Sequence, residues 1–191
     1  SPSPDTRNKM ARLIVLDPAS GQKLRDINLA TLLPGKHFPN DMTFDEAGNC
    51  YITDSYAHAI YKVTADGNGT VFSKDTLFVT EGIGLNGIAF HPAGFLVANN
   101  SNTGGLYKIP VNNPAQVTKI KINQFFLGAD GLLMKDSSTL VMVVNGNNDK
   151  IYQLTSNDNW NTAELKATTL IADRFTYPST ATFRGNDVWV M

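Results

Sequence analysis

Apolar residues in this chain fall into short runs of roughly four to eight positions, several of which alternate apolar and polar side chains. Typical runs are "CYITDS", "FLVANN" and "TLVMVV", which are rich in the β-branched and aromatic residues that favour strands. Clusters of Gly, Asn and Asp separate the runs and indicate tight turns. Helical spacing of apolar residues is nearly absent, and the best helix candidate, near 161–166, is too short to be stable by itself. The pattern therefore predicts an all-β protein.

The runs recur along the chain with a nearly constant period. Each repeat begins with a short polar residue, the opener, followed by an apolar segment, a turn, a second apolar run, a tyrosine-containing run and a fourth alternating run. Successive openers are 46, 44 and 49 residues apart, and the tyrosines are 46 and 45 residues apart. The openers are Asn40 in "PND", Asn86 in "LNG", Asp130 in "ADG" and Ser179 in "YPS", and the tyrosines are Tyr61, Tyr107 and Tyr152.

Four strands in about 45 residues form the repeat of a β-propeller, in which four-stranded antiparallel blades stack around a central channel. Complete blades are predicted near 42–73, 88–122 and 132–171. The segments "ARLIVLDP" and "KLRDINL" match the last two strands of a blade, and "STATF" and "DVWVM" match the first two. The sequence thus predicts about four blades' worth of strands in a single propeller domain, residues 1–191, that begins and ends in mid-blade.

Two arrangements fit this strand count. The two half-blades could pair and close a four-bladed ring, or the chain could be a stretch of a larger propeller whose other blades lie outside this sequence. The strand run that ends at Met191 favours the second arrangement, because a ring-closing strand is usually followed by a few polar residues.

The openers are the first candidates for a functional site. The innermost strand of each blade runs along the channel, so residues that enter this strand in different blades converge at one channel mouth. Asn40, Asn86 and Asp130 would then place carboxamide and carboxylate oxygens together, which suits a hard cation such as calcium. The same oxygens could bind a polyol or water, and Asn and Asp are also ordinary turn formers.

Composition excludes several other classes of function. The net charge is −1 and there is no basic block, so nucleic acid is not an expected partner. No apolar stretch approaches the ~18 residues of a membrane span. The start, "SPSPDTRNKM", has no apolar signal region, although it could remain after removal of one, which gives a weak preference for a secreted protein. The single cysteine, Cys50, is expected to be a buried thiol.

The motifs "PND…D.AGN.YITDS", "LNGIAF.PAG.L" and "ADGL" resemble the senescence-marker-protein/gluconolactonase family, from about 36 to 190. This resemblance implies a six-bladed propeller that binds calcium or another divalent cation (zinc, magnesium or manganese) and hydrolyses a small-molecule lactone or related ester. It implies Asn86 and Asp130 as metal ligands, and Asn40, followed by Asp41, as substrate-binding residues. The family also has a Glu ligand in a "GEGP"-like segment, which is not found before Asn40, and Glu81 in "TEGIG" falls in the wrong blade.

The histidines and the ends of the second strands complete the candidate residues. His37 precedes "FPND" and is expected near the channel mouth, where it could contact substrate or move protons. His58 and His91 are expected to have structural or solvent-facing roles, with His91 exposed in its turn. A turn-stabilising role is expected for Asp54, Asn99, Asn100 and Asn145.

Two functions follow from these residues. The first is a metal-dependent hydrolase of a lactone or ester, in which Asp130 is both a metal ligand and the catalytic base. The alternative is a non-catalytic propeller that binds a ligand or protein, as NHL-type propellers do, because the fold does not determine the function. The sequence leaves the substrate and the oligomeric state open.

Overall fold

The computed structural model describes residues 6–146, 148–170 and 175–191, and within them nearly all regular structure is β-strand. A single short 3-10 turn, Thr76–Phe78, is the only helical element in this described part. The strands are β1 Arg12–Leu16, β2 Lys23–Asn28, β3 Pro39–Phe44, β4 Cys50–Asp54, β5 Ala59–Val63, β6 Gly69–Lys74, β7 Leu85–His91, β8 Phe95–Asn100, β9 Gly105–Pro110, β10 Thr118–Lys119, β11 Ala129–Asp136, β12 Thr139–Val144, β13 Lys150–Thr155, β14 Glu164–Thr168, β15 Ala181–Arg184 and β16 Asp187–Val190.

The strands form three four-stranded antiparallel sheets and two hairpins, in the order of the chain. The full blades are β3–β6, β7–β10 and β11–β14, and the hairpins are β1–β2 and β15–β16. The predicted all-β fold with four-stranded propeller blades is therefore confirmed, and a two-stranded hairpin lies on either side of the three full blades. Glu164–Thr168 pairs with β13 as the outer strand of its blade, which agrees with the fourth alternating run of the repeat and not with the short helix candidate near 161–166.

The two hairpins are separate two-stranded sheets, each packed against a neighbouring full blade. Leu13 and Ile27 of the first hairpin pack against Cys50, Ile52 and other buried residues of the β3–β6 blade. At the other end, β15 contacts β11 and β12. Within the described residues β16 is not paired with β1, so the strands do not form the single sheet that a closed four-bladed ring requires.

Apolar side chains between adjacent blades make the core. Tyr51, Ile60, Leu85 and Leu96 are fully buried between the β3–β6 and β7–β10 blades. Burying one large apolar side chain contributes about 1.5–3 kcal/mol, so each blade is stabilised mainly by its neighbours. Cys50 is buried between the first hairpin and the β3–β6 blade, as a buried thiol was predicted, and its burial raises the pKa of the thiol to about 11.

His91 links the second and third full blades and is not exposed, which corrects the prediction from its turn. Only 4% of the residue is accessible, and its ring stacks on Phe95 with centroids 4.1 Å apart. Nδ1 accepts a hydrogen bond from the Ala93 amide at 3.0 Å, so Nε2 carries the proton and donates to the Ser137 carbonyl at 2.7 Å. Trp160 Nε1 donates to the same carbonyl at 3.0 Å, and both rings therefore fix this turn.

Candidate cation site at the channel mouth

Each opener lies in a β-bulge at the start of the innermost strand of its blade. Strand pairing jumps from Pro39 to Met42, from Leu85 to Ile88, and from Ala129 to Leu132. Two residues in each blade therefore fall outside the regular ladder, and a bulge of this kind redirects side chains. These bulge pairs are Asn40–Asp41, Asn86–Gly87 and Asp130–Gly131.

In the first two full blades, a side chain from the second strand connects the bulge to the next blade. Thr53 accepts a hydrogen bond from the Asp41 amide at 3.1 Å and donates to the Asn86 carbonyl at 2.6 Å. One blade later, Asn99 accepts from the Gly87 amide at 3.1 Å and donates to the Asp130 carbonyl at 2.5 Å. These two relays hold consecutive openers in a fixed relation.

The third full blade has no polar side chain at the position of Thr53 and Asn99. Val143 stands where Thr53 and Asn99 stand in the other blades and cannot form the relay. The Gly131 amide instead donates directly to the Ser179 carbonyl at 2.9 Å. A Cβ at residue 131 would lie 2.7 Å from the Thr180 Cα, so this close approach requires glycine.

Asp130 is the centre of a polar cluster drawn from three blades. Its Oδ2 accepts a hydrogen bond from Asn145 Nδ2 at 2.5 Å, and Asn145 also donates to the Pro178 carbonyl at 3.1 Å. Burial, the largest effect, raises the pKa of the Asp130 carboxyl, and the charge of nearby Asp41 raises it further. Hydrogen bonds from the side chains of Asn145 and Asn86 lower it. The net pKa is above the ordinary value, which is the direction required of a general base.

Asn86 lies against Asp130 and has an unusual buried oxygen. The residue is only 5% exposed, and its Oδ1 has no hydrogen-bond partner among the described residues. A buried polar atom without a partner normally costs about 1–3 kcal/mol. Such an atom beside a carboxylate is the arrangement expected of a cation ligand.

Asp41 reaches the same cluster from the first full blade. Its Oδ1 accepts from the Met42 amide at 2.8 Å, and its Oδ2 accepts from the Ile88 amide of the next blade at 3.2 Å. Burial raises its pKa above the ordinary value of an aspartate, and the two amide hydrogen bonds oppose that rise.

Asn40 and His37 are placed differently. Asn40 is exposed, and its Nδ2 donates to Ser55 Oγ at 3.1 Å. His37 is 3% exposed, with Nδ1 2.9 Å from Asp54 Oδ2 and Nε2 3.1 Å from the Leu33 carbonyl. The expectation that His37 faces the channel mouth is corrected by this burial, because both ring nitrogens are already engaged within the fold.

The ends of the second strands divide into two groups. Asp54 and Asn100 stabilise turns, as expected, by accepting the amide hydrogens of Tyr56 and Thr103 respectively. Asn99 and Asn145 instead contact the backbone and the carboxylate of Asp130. This role was not predicted from the sequence. The usable signal was that Asn99 ends the second strand of the preceding blade and Asn145 follows the second strand of the blade that Asp130 begins.

Asp41 also borders a cavity between the innermost strands. This cavity of about 280 Å³ is bordered by Asp41, by segments of β3, β7 and β11, and by Thr180 and Ala181. Two carboxylates and an amide oxygen form a donor set that fits a hard divalent cation such as calcium. In the described part of the chain no group of three or more His, Cys, Asp or Glu side chains could hold a metal, so the amide of Asn86 would have to take part.

The residues that the structure describes contain no helix long and apolar enough to cross a membrane.

Comparison with known proteins supports the fold. The chain is similar to virginiamycin B lyase from Staphylococcus aureus (TM-score 0.68, 22% identity, 94% of this chain and 55% of that chain). It is also similar to the Malassezia sympodialis allergen Mala s 1 (TM-score 0.63, 23% identity, 91% and 57%). A luciferin-regenerating enzyme matches with a TM-score of 0.63, 14% identity, and 96% and 63% coverage.

These similarities establish a propeller fold shared with enzymes, including a lyase. The chain spans 55% to 63% of the length of these three structures. No family model and no curated protein matches the sequence. Membership of the senescence-marker-protein/gluconolactonase family therefore stays a prediction.

Proposed function

We propose that this chain carries the catalytic centre of a divalent-cation-dependent hydrolase that opens a lactone or a related ester. The observation that carries the proposal is the buried, unpartnered Oδ1 of Asn86, a residue whose side chain also hydrogen-bonds to the Asp130 carboxyl. Asn86 and Asp130 would hold the cation, and Asn40 and Asp41 occupy the equivalent bulge of the first full blade. A divalent cation supplies Lewis acidity toward a carbonyl oxygen and lowers the pKa of nearby water.

Asp130 is suited to move the proton. Asn145 holds one carboxylate oxygen in place, so the carboxyl group is fixed in orientation. Partial burial raises the pKa of Asp130, which makes its carboxylate a stronger base than an exposed aspartate. In the proposed reaction Asp130 accepts a proton from the water that attacks the ester carbonyl. As the ester C–O bond breaks, Asp130 returns this proton to the leaving alkoxide, which gives a ring-opened hydroxy acid and regenerates the base.

The proposal is tested by turnover of simple five- and six-membered lactones with calcium and with a chelator. Asp130→Asn keeps an oxygen that can accept from Asn145 but removes the charge and the base, so turnover should fall at least about a hundredfold. Asp187→Asn removes the same charge from an exposed position on β16 and should leave turnover unchanged.

Product analysis separates this reaction from the elimination that a lyase performs. Hydrolysis adds one water molecule to the ring-opened product and incorporates oxygen from labelled water, whereas elimination leaves the mass of the substrate unchanged. Turnover that survives both Asp130→Asn and chelation would contradict the mechanism. Calcium binding without turnover of any lactone would favour a ligand-binding scaffold.

A further inference from the structure

Asp41 occupies a position that is glycine in the other two full blades. The corresponding residues are Gly87 and Gly131, which carry no side chain into the space between innermost strands. Asp41 instead extends across the boundary between the first two full blades and accepts the Ile88 amide hydrogen. Thr43, two residues further along β3, crosses the same boundary to accept from the Phe90 amide at 3.1 Å. The Asp41 carboxylate is thus held by backbone donors on both sides of the boundary.

The carboxylates of Asp41 and Asp130, from the first and third full blades, have no positively charged partner among the described residues. Asp41 Oδ2 accepts the Ile88 amide hydrogen, and Gly87, the residue before Ile88, lies directly against the Asp130 carbonyl, which brings the two aspartates into the same region. The hydrogen-bond donors around both groups are neutral amides. Across the described ranges the ion pairs join Asp26 to Arg12 and Lys23, and Asp54 to His37, so neither carboxylate of the cluster has one. Two partly buried like charges repel each other, and a cation between them removes that cost.

The amide of Asn86 gives an independent indication. This side chain is more than nine-tenths buried, lies beside the Asp130 carboxyl, and leaves Oδ1 without a hydrogen-bond donor in the described structure. The two unpaired carboxylates and the hydrogen bonds of Asp41 do not involve this oxygen. The unpartnered Oδ1 is therefore a separate observation that also favours a bound cation.

We propose that Asp41 is the third protein ligand of a divalent-cation site, together with Asn86 and Asp130. One ligand then comes from each of three consecutive blades. Each Asp41 oxygen accepts one amide hydrogen and retains a lone pair for the ion. This inference rests on the proposed function and deepens it, because the chain itself then supplies two charged ligands instead of one.

Calcium binding to the chelator-treated 191-residue chain tests the assignment by titration calorimetry. Asp41→Asn should weaken calcium binding at least about tenfold, since calcium affinity follows the number of charged ligands. Asp187→Asn is the matched control and should bind like the wild type. Equal affinity of Asp41→Asn and wild type would overturn the inference, and so would a wild-type chain that binds none of calcium, magnesium, manganese and zinc.

A second variant keeps the test decisive if Asp41→Asn fails to fold. Asn86→Asp adds a third carboxylate where the neutral oxygen lies, so its thermal midpoint with chelator should fall below that of wild type. Calcium should then raise this midpoint by more than it raises the wild-type midpoint, by mass action. No additional calcium-dependent rise would overturn the site.

The two proposals can fail separately. Calcium binding that depends on Asp41, without any lactone turnover, removes the enzymatic function and keeps the three-ligand site. Turnover that depends on Asp130, with calcium affinity independent of Asp41, does the reverse.

Discussion

Replacing Gly87 with alanine tests the close contact between neighbouring bulges. A Cβ at this position would lie 2.1 Å from the Asp130 carbonyl oxygen, whereas ordinary van der Waals contact begins near 3.4 Å. It would also lie 2.8 Å from Asn99 Nδ2 and 2.9 Å from the Leu132 nitrogen. Two of these three atoms belong to the backbone of the next blade, so no rotation of a side chain can relieve the clash.

The loss of stability in Gly87→Ala depends on which part of the structure must shift to accommodate the added methyl group. Inserting one methyl group into a well-packed interior typically costs about 1–3 kcal/mol, and occasionally more. Because the third full blade must shift as a unit, we expect a loss near the top of that range, about 3 kcal/mol. Alanine also stabilises by about 0.4–1 kcal/mol through the unfolded chain, which offsets only part of the loss.

Gly69→Ala is the matched control. Neither glycine adopts a positive φ, so backbone strain does not distinguish them. The Cβ of residue 69 would meet the end of the Leu29 side chain at 3.1 Å, which can move aside. This variant should therefore lie within about 1 kcal/mol of wild type.

Urea unfolding followed by tryptophan fluorescence gives the measurement, because Trp160 is fully buried. A loss of 3 kcal/mol corresponds to a midpoint lowered by roughly 1–3 M urea for ordinary slopes. A difference between the two variants of less than about 1 kcal/mol would refute the close contact of the bulges.

Three further variants test other parts of the fold. Thr53→Val removes the hydroxyl that links the first two openers and should lower the free energy of unfolding in urea by about 1–3 kcal/mol. Thr70→Val, at an exposed position, should change it little, and equal losses in the two variants would contradict the link. Trp160→Ala should lower the free energy of unfolding by about 3–5 kcal/mol, because Trp160 is fully buried. Trp189 is 48% exposed, so Trp189→Ala should lower it much less, and the opposite order would contradict the packing. Cys50 should resist alkylation at pH 8 until the protein unfolds. Because burial raises its pKa from 9.0 to about 11, the unfolded thiol ionises first and stability should fall as pH rises across that window, with a shallower fall in Cys50→Ala.

The fold was largely predictable because a propeller repeats its pattern. The openers Asn40, Asn86 and Asp130 marked where each repeat begins, and each lies at the start of an innermost strand in the structure. Alternating runs then gave the remaining strands, with boundaries that differ by a few residues. The outer strand β10 is shorter than its sequence run, since only Thr118 and Lys119 pair with β9.

The site was less predictable because it depends on local geometry. The bulges change the direction of the Asp41 and Asn86 side chains, and the sequences of these two strands did not lead us to predict a bulge. His91 occupies a turn motif, "FHPAG", that is normally exposed, yet stacking on Phe95 and a bond to a carbonyl 46 residues away bury it. His37 looked close to the opener in sequence, but Asp54 and Leu33 draw its ring into the interior.

The unequal bulges also constrain how such a protein could grow by duplication of a blade. A copy of the first full blade would bring an aspartate to the position that is glycine in its neighbours. If that copy preceded the third full blade, its aspartate would stand where Gly87 stands now. The aspartate side chain would then clash with the Asp130 carbonyl, which lies directly against Gly87. Blades of this chain are therefore not interchangeable units, and a duplication would persist only with a compensating change across the boundary, in the following blade.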